Sequence, residues 1–142
     1  MSKAGGSSTI AGVNFEAWFV ALKFVDAFFD ETLEVTPQAT TFIDPQTYQR
    51  EIVSIDDIYI RSPDKQEFYN LKSNAPDGVR WRLSELKQQN VLAQMESQYQ
   101  KTPDAKLYFV SQSPCVLFKE VFERTRTCSS RKELEITLAS NN

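Results

Sequence analysis

Apolar residues recur at spacings of three and four along residues 13–29, at Val13, Phe15, Trp18, Phe19, Leu22, Val25, Phe28 and Phe29. One helical turn takes 3.6 residues, so this pattern predicts a helix with a wide buried face. At that spacing the Phe and Trp side chains read as core rather than as a base-stacking platform. The preceding MSKAGGSST is small, polar and aperiodic, and residues 1–11 are expected to form a disordered leader. Residues 32–47 are dense in Thr, Pro and Asp, with Pro37 and Pro45 favouring a loop or a short edge strand over a helix.

Residues 51–60, EIVSIDDIYI, are rich in β-branched side chains; SPDKQ then brings turn chemistry, and EFYNLKS is a second extended run. A β-hairpin is predicted. Side chains alternate along a strand, so Val53, Ile55, Asp57 and Tyr59 share one face, as do Phe68, Asn70 and Lys72. After a loop at NAPDG, residues 83–99 are good helix formers and predict one long helix. The continuously apolar LYFVS at 107–111 predicts a central strand buried on both faces. Pro114 suits the first turn of a helix running to about residue 127, and Ser129 or Ser130 can cap a last helix through residue 138.

Strand, helix, strand in this order requires a crossover, with the last strand parallel to a neighbour. The fold class expected is therefore α/β, a mixed β-sheet flanked by helices. The chain's 142 residues, 41% hydrophobic and 25% charged, are enough for one ordinary domain with its own core, placed at 12–139. No apolar run reaches the roughly 20 residues a bilayer span needs, because Glu16, Lys23 and Asp26 interrupt the aromatic segment. Cys115 and Cys128, unclustered, fit free structural thiols in a reducing cytoplasm.

The chain contains no histidine, which excludes histidine acid/base chemistry, serine triads and histidine-bearing zinc sites. A net charge of −3 and a pI near 5.0 give no global attraction for nucleic acid, so phosphate binding would need a local basic patch. Arg80, Arg82 and Lys87 form a candidate patch, with a merely solvated face as the alternative. Trp81 between the two arginines either stacks on a base or packs the helix start. Phosphodiester hydrolysis with a bound cation needs a carboxylate, a second oxygen ligand and a positive group beside the attacking water. Asp57, Asn70 and Lys72 supply those types on neighbouring strands, where an ordinary cross-strand ion pair is the plain alternative. A register shift of one residue would exchange Asp57 for Asp56.

The Asp on one strand and the Asn70-Leu71-Lys72 on the next resemble the PD-(D/E)XK nuclease motif. Similarity extends from about residue 12 to 138. It runs through GVNFEAWFVALKFV, EIVSIDDIYI, WRLSELKQQN, LYFVSQSP and LFKEVFERT, which follow the segment order of the N-terminal nuclease domains of bacterial anti-phage defence proteins. The resemblance implies a restriction-endonuclease-like fold and an endonuclease that hydrolyses DNA with Mg²⁺ or Mn²⁺. Asp57 would bind the metal, Asn70 would offer a carbonyl oxygen, and Lys72 would orient water and steady developing charge. Glu16 is a candidate extra ligand, with a solvated or capping role as its alternative. It further implies a cytoplasmic homo-oligomer whose C-terminal sensor or NTPase domain lies beyond the abrupt SNN ending. In this family Gln usually stands at the Asn70 position, and an amide holds a cation less strongly than a carboxylate does. The rival expectation is a catalytically degenerate module of the same fold, used for oligomerisation or DNA binding; a third is a structural domain without a ligand.

Overall fold

A computed structural model describes residues 5–115 together with positions 130 and 132. It opens with the helix α1 (Gly5–Phe29), followed by β1 (Glu34–Pro37). Two short strands, β2 (Thr41–Ile43) and β3 (Arg50–Ile52), pair antiparallel as a separate ribbon. Then come β4 (Ile58–Ser62), β5 (Lys65–Lys72), α2 (Leu83–Gln88), α3 (Val91–Lys101) and β6 (Lys106–Ser111). The main sheet has the order β1-β4-β5-β6, antiparallel up to β5 and parallel between β5 and β6. The architecture is thus α/β, with the crossover that strand, helix, strand demands. Pro37 sits on β1, an edge strand, where a residue without an N–H does least harm to the ladder.

Alternation along β4 and β5 divides the core in two. Tyr59 and Phe68 stack at 4.9 Å between ring centroids and join Ala39, Phe42, Val53 and Ile55 on one face, where Met95 and Leu107 also pack. Ile58, Ile60, Tyr69 and Leu71 point the other way, onto Phe15, Phe19 and Val20 of α1. A third cluster, Ala75, Trp81, Leu86 and Val91, closes the sheet's β6 side from α2 and α3.

Several elements differ from the sequence pattern. Helix α1 already begins at Gly5, so residues 5–11 are helical where a disordered leader is expected. Its stripe is not wholly core: Phe15 and Phe19 pack inward, but Trp18, Phe28 and Phe29 are 79%, 80% and 82% exposed. Residues 51–60 are not one strand. Pairing stops at Ile52 and resumes at Ile58, and the loop between keeps a strand's alternation, burying Val53 and Ile55, without a strand's ladder. The hairpin turn is tighter than SPDKQ suggests, with Ser62 already paired to Lys65 around Pro63 and Asp64.

The single helix predicted over 83–99 is two, broken at Asn90, whose φ of 58° is left-handed. In one continuous helix Leu86 and Val91 would lie about 140° apart, at 100° per residue over five residues. The break lets both reach the same buried cluster. β6 ends the sheet order among the described residues, rather than lying centrally. Its apolar run is explained by cover on both faces, Tyr108 and Val110 toward α1 and Leu107 and Phe109 toward the α2–α3 side. Of the helices expected over 114–127 and 130–138, only Pro114 and Cys115, which are not helical, and positions 130 and 132 are described; the rest of both, and Cys128, lie outside the described residues.

Candidate active site

Asp57 occupies the last position before β4, delivered there by the 53–57 loop. That loop is tied down from α3. The Ser54 N–H donates to Oε1 of the fully buried Gln98 at 2.8 Å, the Ser54 and Ser97 hydroxyls bond at 2.8 Å, and Lys101 Nζ donates to the Ile52 carbonyl and to Ser54 Oγ, each at 2.8 Å. On its other side the Gln38 N–H donates to the Asp57 carbonyl at 2.8 Å. The backbone that presents Asp57 is therefore held by three separate groups, Gln98, Lys101 and Gln38, although it belongs to no strand.

The Asp57 carboxylate is half-buried and accepts the Leu71 N–H through Oδ2 at 2.6 Å. Among the described residues Oδ1 accepts no hydrogen bond. Burial pushes the Asp57 carboxyl above the usual range; the Leu71 N–H and the nearby Lys72 ammonium oppose this, and Asp56 adds to it. Asp56, the alternative under a register shift, is exposed.

Lys72 ends β5, two residues from Asn70 and beside Ser73. Helix α1 passes here: a Cβ built on Gly12 would lie 3.9 Å from Ser73 Oγ, and Glu16 follows one turn later on the same side of the helix. Glu16 is half-buried, and its carboxyl is raised first by burial, then by the Asp57 charge and more weakly by Asp56, while Lys72 lowers it. Glu16, Asp57 and Lys72 thus come from α1, the 53–57 loop and β5 into one electrostatic neighbourhood. Two carboxyls each held high by burial and by acidic neighbours form a place where added positive charge is favoured.

Asn70 is only 1% exposed, and its Nδ2 donates to Gln94 Oε1 of α3 at 2.8 Å. Its Oδ1 is buried and accepts no hydrogen bond among the described residues. Among those residues no three His, Cys, Asp or Glu side chains form a group able to hold a metal ion. The donors on hand are instead two carboxylates and an unclaimed amide oxygen. All are hard oxygen ligands of the kind Mg²⁺ takes, and Mg²⁺ keeps water and phosphate oxygens for its remaining positions. By donor type, the residues present suit such an ion.

The basic candidates divide. Arg80, Arg82 and Lys87 are all exposed on the loop and helix that follow β5. The Arg82 guanidinium lies 3.2 Å from Asp77, whose carboxylate also accepts the Val79 and Arg80 N–H groups. Gly78, at φ 74°, supplies the left-handed residue which that turn requires. Trp81 is 2% exposed, donates its Nε1–H to Ser111 Oγ at 2.7 Å and meets Phe109 edge-on, so it packs the helix start and is closed to a base.

Gln94 and Gln98 are the residues that the sequence pattern passes over. Their signal was two amides one turn apart on the side of α3 that also carries Val91 and Met95, which a helix with a purely apolar inner face would not have. Compared with protein-family models, with curated proteins and with solved structures, the chain matches none.

Proposed function

We propose that this chain is a divalent-cation-dependent nuclease domain that hydrolyses DNA phosphodiester bonds. The observation that carries the proposal is the convergence of Glu16, Asp57 and Lys72 from three separate elements, with both carboxyls raised first by burial, that of Glu16 also by the Asp57 charge and that of Asp57 also by Asp56. Phosphodiester hydrolysis builds negative charge on the phosphate oxygens while water attacks in line with the leaving oxygen. In this reading the Asp57 and Glu16 carboxylates and the Asn70 Oδ1 hold Mg²⁺ or Mn²⁺. When bound, that ion supplies positive charge to the phosphate and lowers the pKa of water. Lys72 positions the attacking water and steadies the developing charge. The Leu71 N–H fixes one oxygen of Asp57 and leaves the other to the site. Arg80, Arg82 and Lys87 contact the DNA backbone, where charge positions the substrate without reading its sequence.

The similarity of segment order between residues 12 and 138 supports the wider proposal. There the domain adopts the restriction-endonuclease-like form of the α/β class and serves as the cytoplasmic effector of a bacterial anti-phage system. It acts as a homo-oligomer with a C-terminal sensor or NTPase region. One observation favours a second reading, a catalytically degenerate module for oligomerisation or DNA binding: the amide at Asn70 is neutral, deeply buried and already engaged by Gln94.

Plasmid cleavage with Mg²⁺ or Mn²⁺ separates the two. The oligomeric protein is expected to nick or linearise DNA, and Asp57→Ala and Lys72→Ala are each expected to lower the rate by about 100-fold or more, with unchanged circular dichroism. Full activity in both variants would move the chemistry elsewhere, and no cleavage by the oligomer would favour the degenerate module.

A further inference from the structure

Asn70 and Gln94 form an amide pair whose two senses have different consequences. In the sense present, Asn70 Nδ2 donates to Gln94 Oε1, and Asn70 Oδ1 is the atom left over, buried and without a partner among the described residues. Turning the Asn70 amide alone would set Oδ1 against Oε1, acceptor against acceptor. Turning both would let Gln94 Nε2 claim Oδ1 and leave Nδ2 empty. Each amide group has one acceptor end and one donor end, so the sense of Gln94 and the free end of Asn70 are coupled.

The strand register gives that choice its meaning. Ile58 pairs with Tyr69, and continuing the ladder by one residue sets Asp57 opposite Asn70; the 2.6 Å bond from the Leu71 N–H to Asp57 Oδ2 holds the carboxylate against this stretch of β5. A buried acceptor without a donor is a costly arrangement, and a cation beside Asp57 is the partner that would relieve it.

We infer that Gln94 is a positioning residue that turns the Asn70 amide oxygen toward a hard divalent cation held by Asp57. This rests on the cation-dependent reading of the site and adds to it a residue outside the motif. An amide must present its oxygen, whereas a carboxylate presents oxygen either way round. Gln94 therefore compensates for the absence of an acid at position 70.

The test is a double-mutant cycle on the whole chain, with Mn²⁺ binding followed by calorimetry and no DNA present. Gln94→Met keeps the side chain's length and neutrality but cannot accept from Nδ2. It is expected to weaken Mn²⁺ binding about 10- to 100-fold, the usual cost of losing a group that orients a ligand. In an Asn70→Asp background the same change is expected to cost little, because the carboxylate needs no orienting. An equal loss in both backgrounds would make Gln94 merely structural and overturn the inference. Should Asn70→Asp fail to fold, Gln94→Glu replaces it: an acceptor-only carboxylate keeps the hold on Nδ2 and keeps Mn²⁺ binding, while a loss equal to that of Gln94→Met overturns the inference. Asp57→Ala separates the levels. If it binds Mn²⁺ as well as the unaltered chain, or if the unaltered chain binds none, the cation site fails and the inference with it. If Asp57→Ala loses binding and Gln94→Met does not, the site stands and Gln94 has no part in it.

Discussion

At Asp57 burial acts against the charge that the chemistry would use. Its carboxyl and that of Glu16 are both raised above the ordinary 3.8 and 4.5, by burial first. In the window between those ordinary values and the raised ones, the folded chain binds more protons than the unfolded chain. The stability contributed by these groups is therefore greatest at low pH and falls as pH rises through the window. Asp57→Asn retains an oxygen for the Leu71 N–H and removes the buried charge. The variant is expected to melt higher than the unaltered chain at pH 7, by about 2–4 °C for each kcal/mol regained, and the gap is expected to close as pH falls toward 4. A gap that stays constant with pH would mean that the Asp57 charge costs the fold nothing. Bound Mn²⁺ should reverse the order, because it stabilises only the chain that keeps the carboxylate.

At the scale of elements, the break at Asn90 reconciles two helices with one core. Leu86 and Val91 reach the same cluster only because the chain turns left-handed between them. Asn tolerates that conformation through its short polar side chain, and Ala does not. Asn90→Ala is expected to cost about 1 kcal/mol in urea unfolding, despite raising local helix propensity; a gain in stability would show that a continuous helix serves the core equally well. Periodicity could not find the break, because residues 83–99 are good helix formers throughout and what breaks the helix is a demand of tertiary packing. The 53–57 loop was hidden for a related reason. Its side chains alternate like a strand's, Val53 and Ile55 turned into the core, while the partners of its backbone, such as Gln38 and Gln98, lie far along the chain. The same alternation made the opposed faces of β4 and β5 legible, including the shared side of Phe68 and Asn70. The parallel β6 followed from chain order. The exposure of Trp18, Phe28 and Phe29 was not legible, since helical spacing shows that apolar side chains share a side and says nothing of what covers it.

Across the whole molecule, the charge balance sets a condition on how DNA can bind. The net charge is −3, and Glu16, Asp56 and Asp57 gather at the end of the sheet where the scissile phosphate would have to lie. A DNA backbone meets repulsion there, and the exposed Arg80, Arg82 and Lys87 supply only a short stretch of opposite sign, part of it already turned to Asp77. Three phosphate contacts would give a modest salt dependence, a slope of about −3 in log affinity against log salt. A divalent cation between the carboxylates and the phosphate would remove the repulsion at its source. DNA affinity is therefore expected to be weak in EDTA and to rise about 10-fold or more with Ca²⁺, which binds hard oxygen ligands and is chosen to hold the complex without cleavage. In Asp57→Ala the response to Ca²⁺ is expected to vanish, while binding in EDTA improves slightly because one repelling charge is gone. Arg80→Ala should weaken binding with and without Ca²⁺ alike and flatten the salt slope by about one. Fluorescence anisotropy with a short labelled duplex reads all of these quantities. Equal affinity in EDTA and in Ca²⁺ would mean that the carboxylates do not face the DNA at all, and a nuclease centred on Asp57 could not then be sustained.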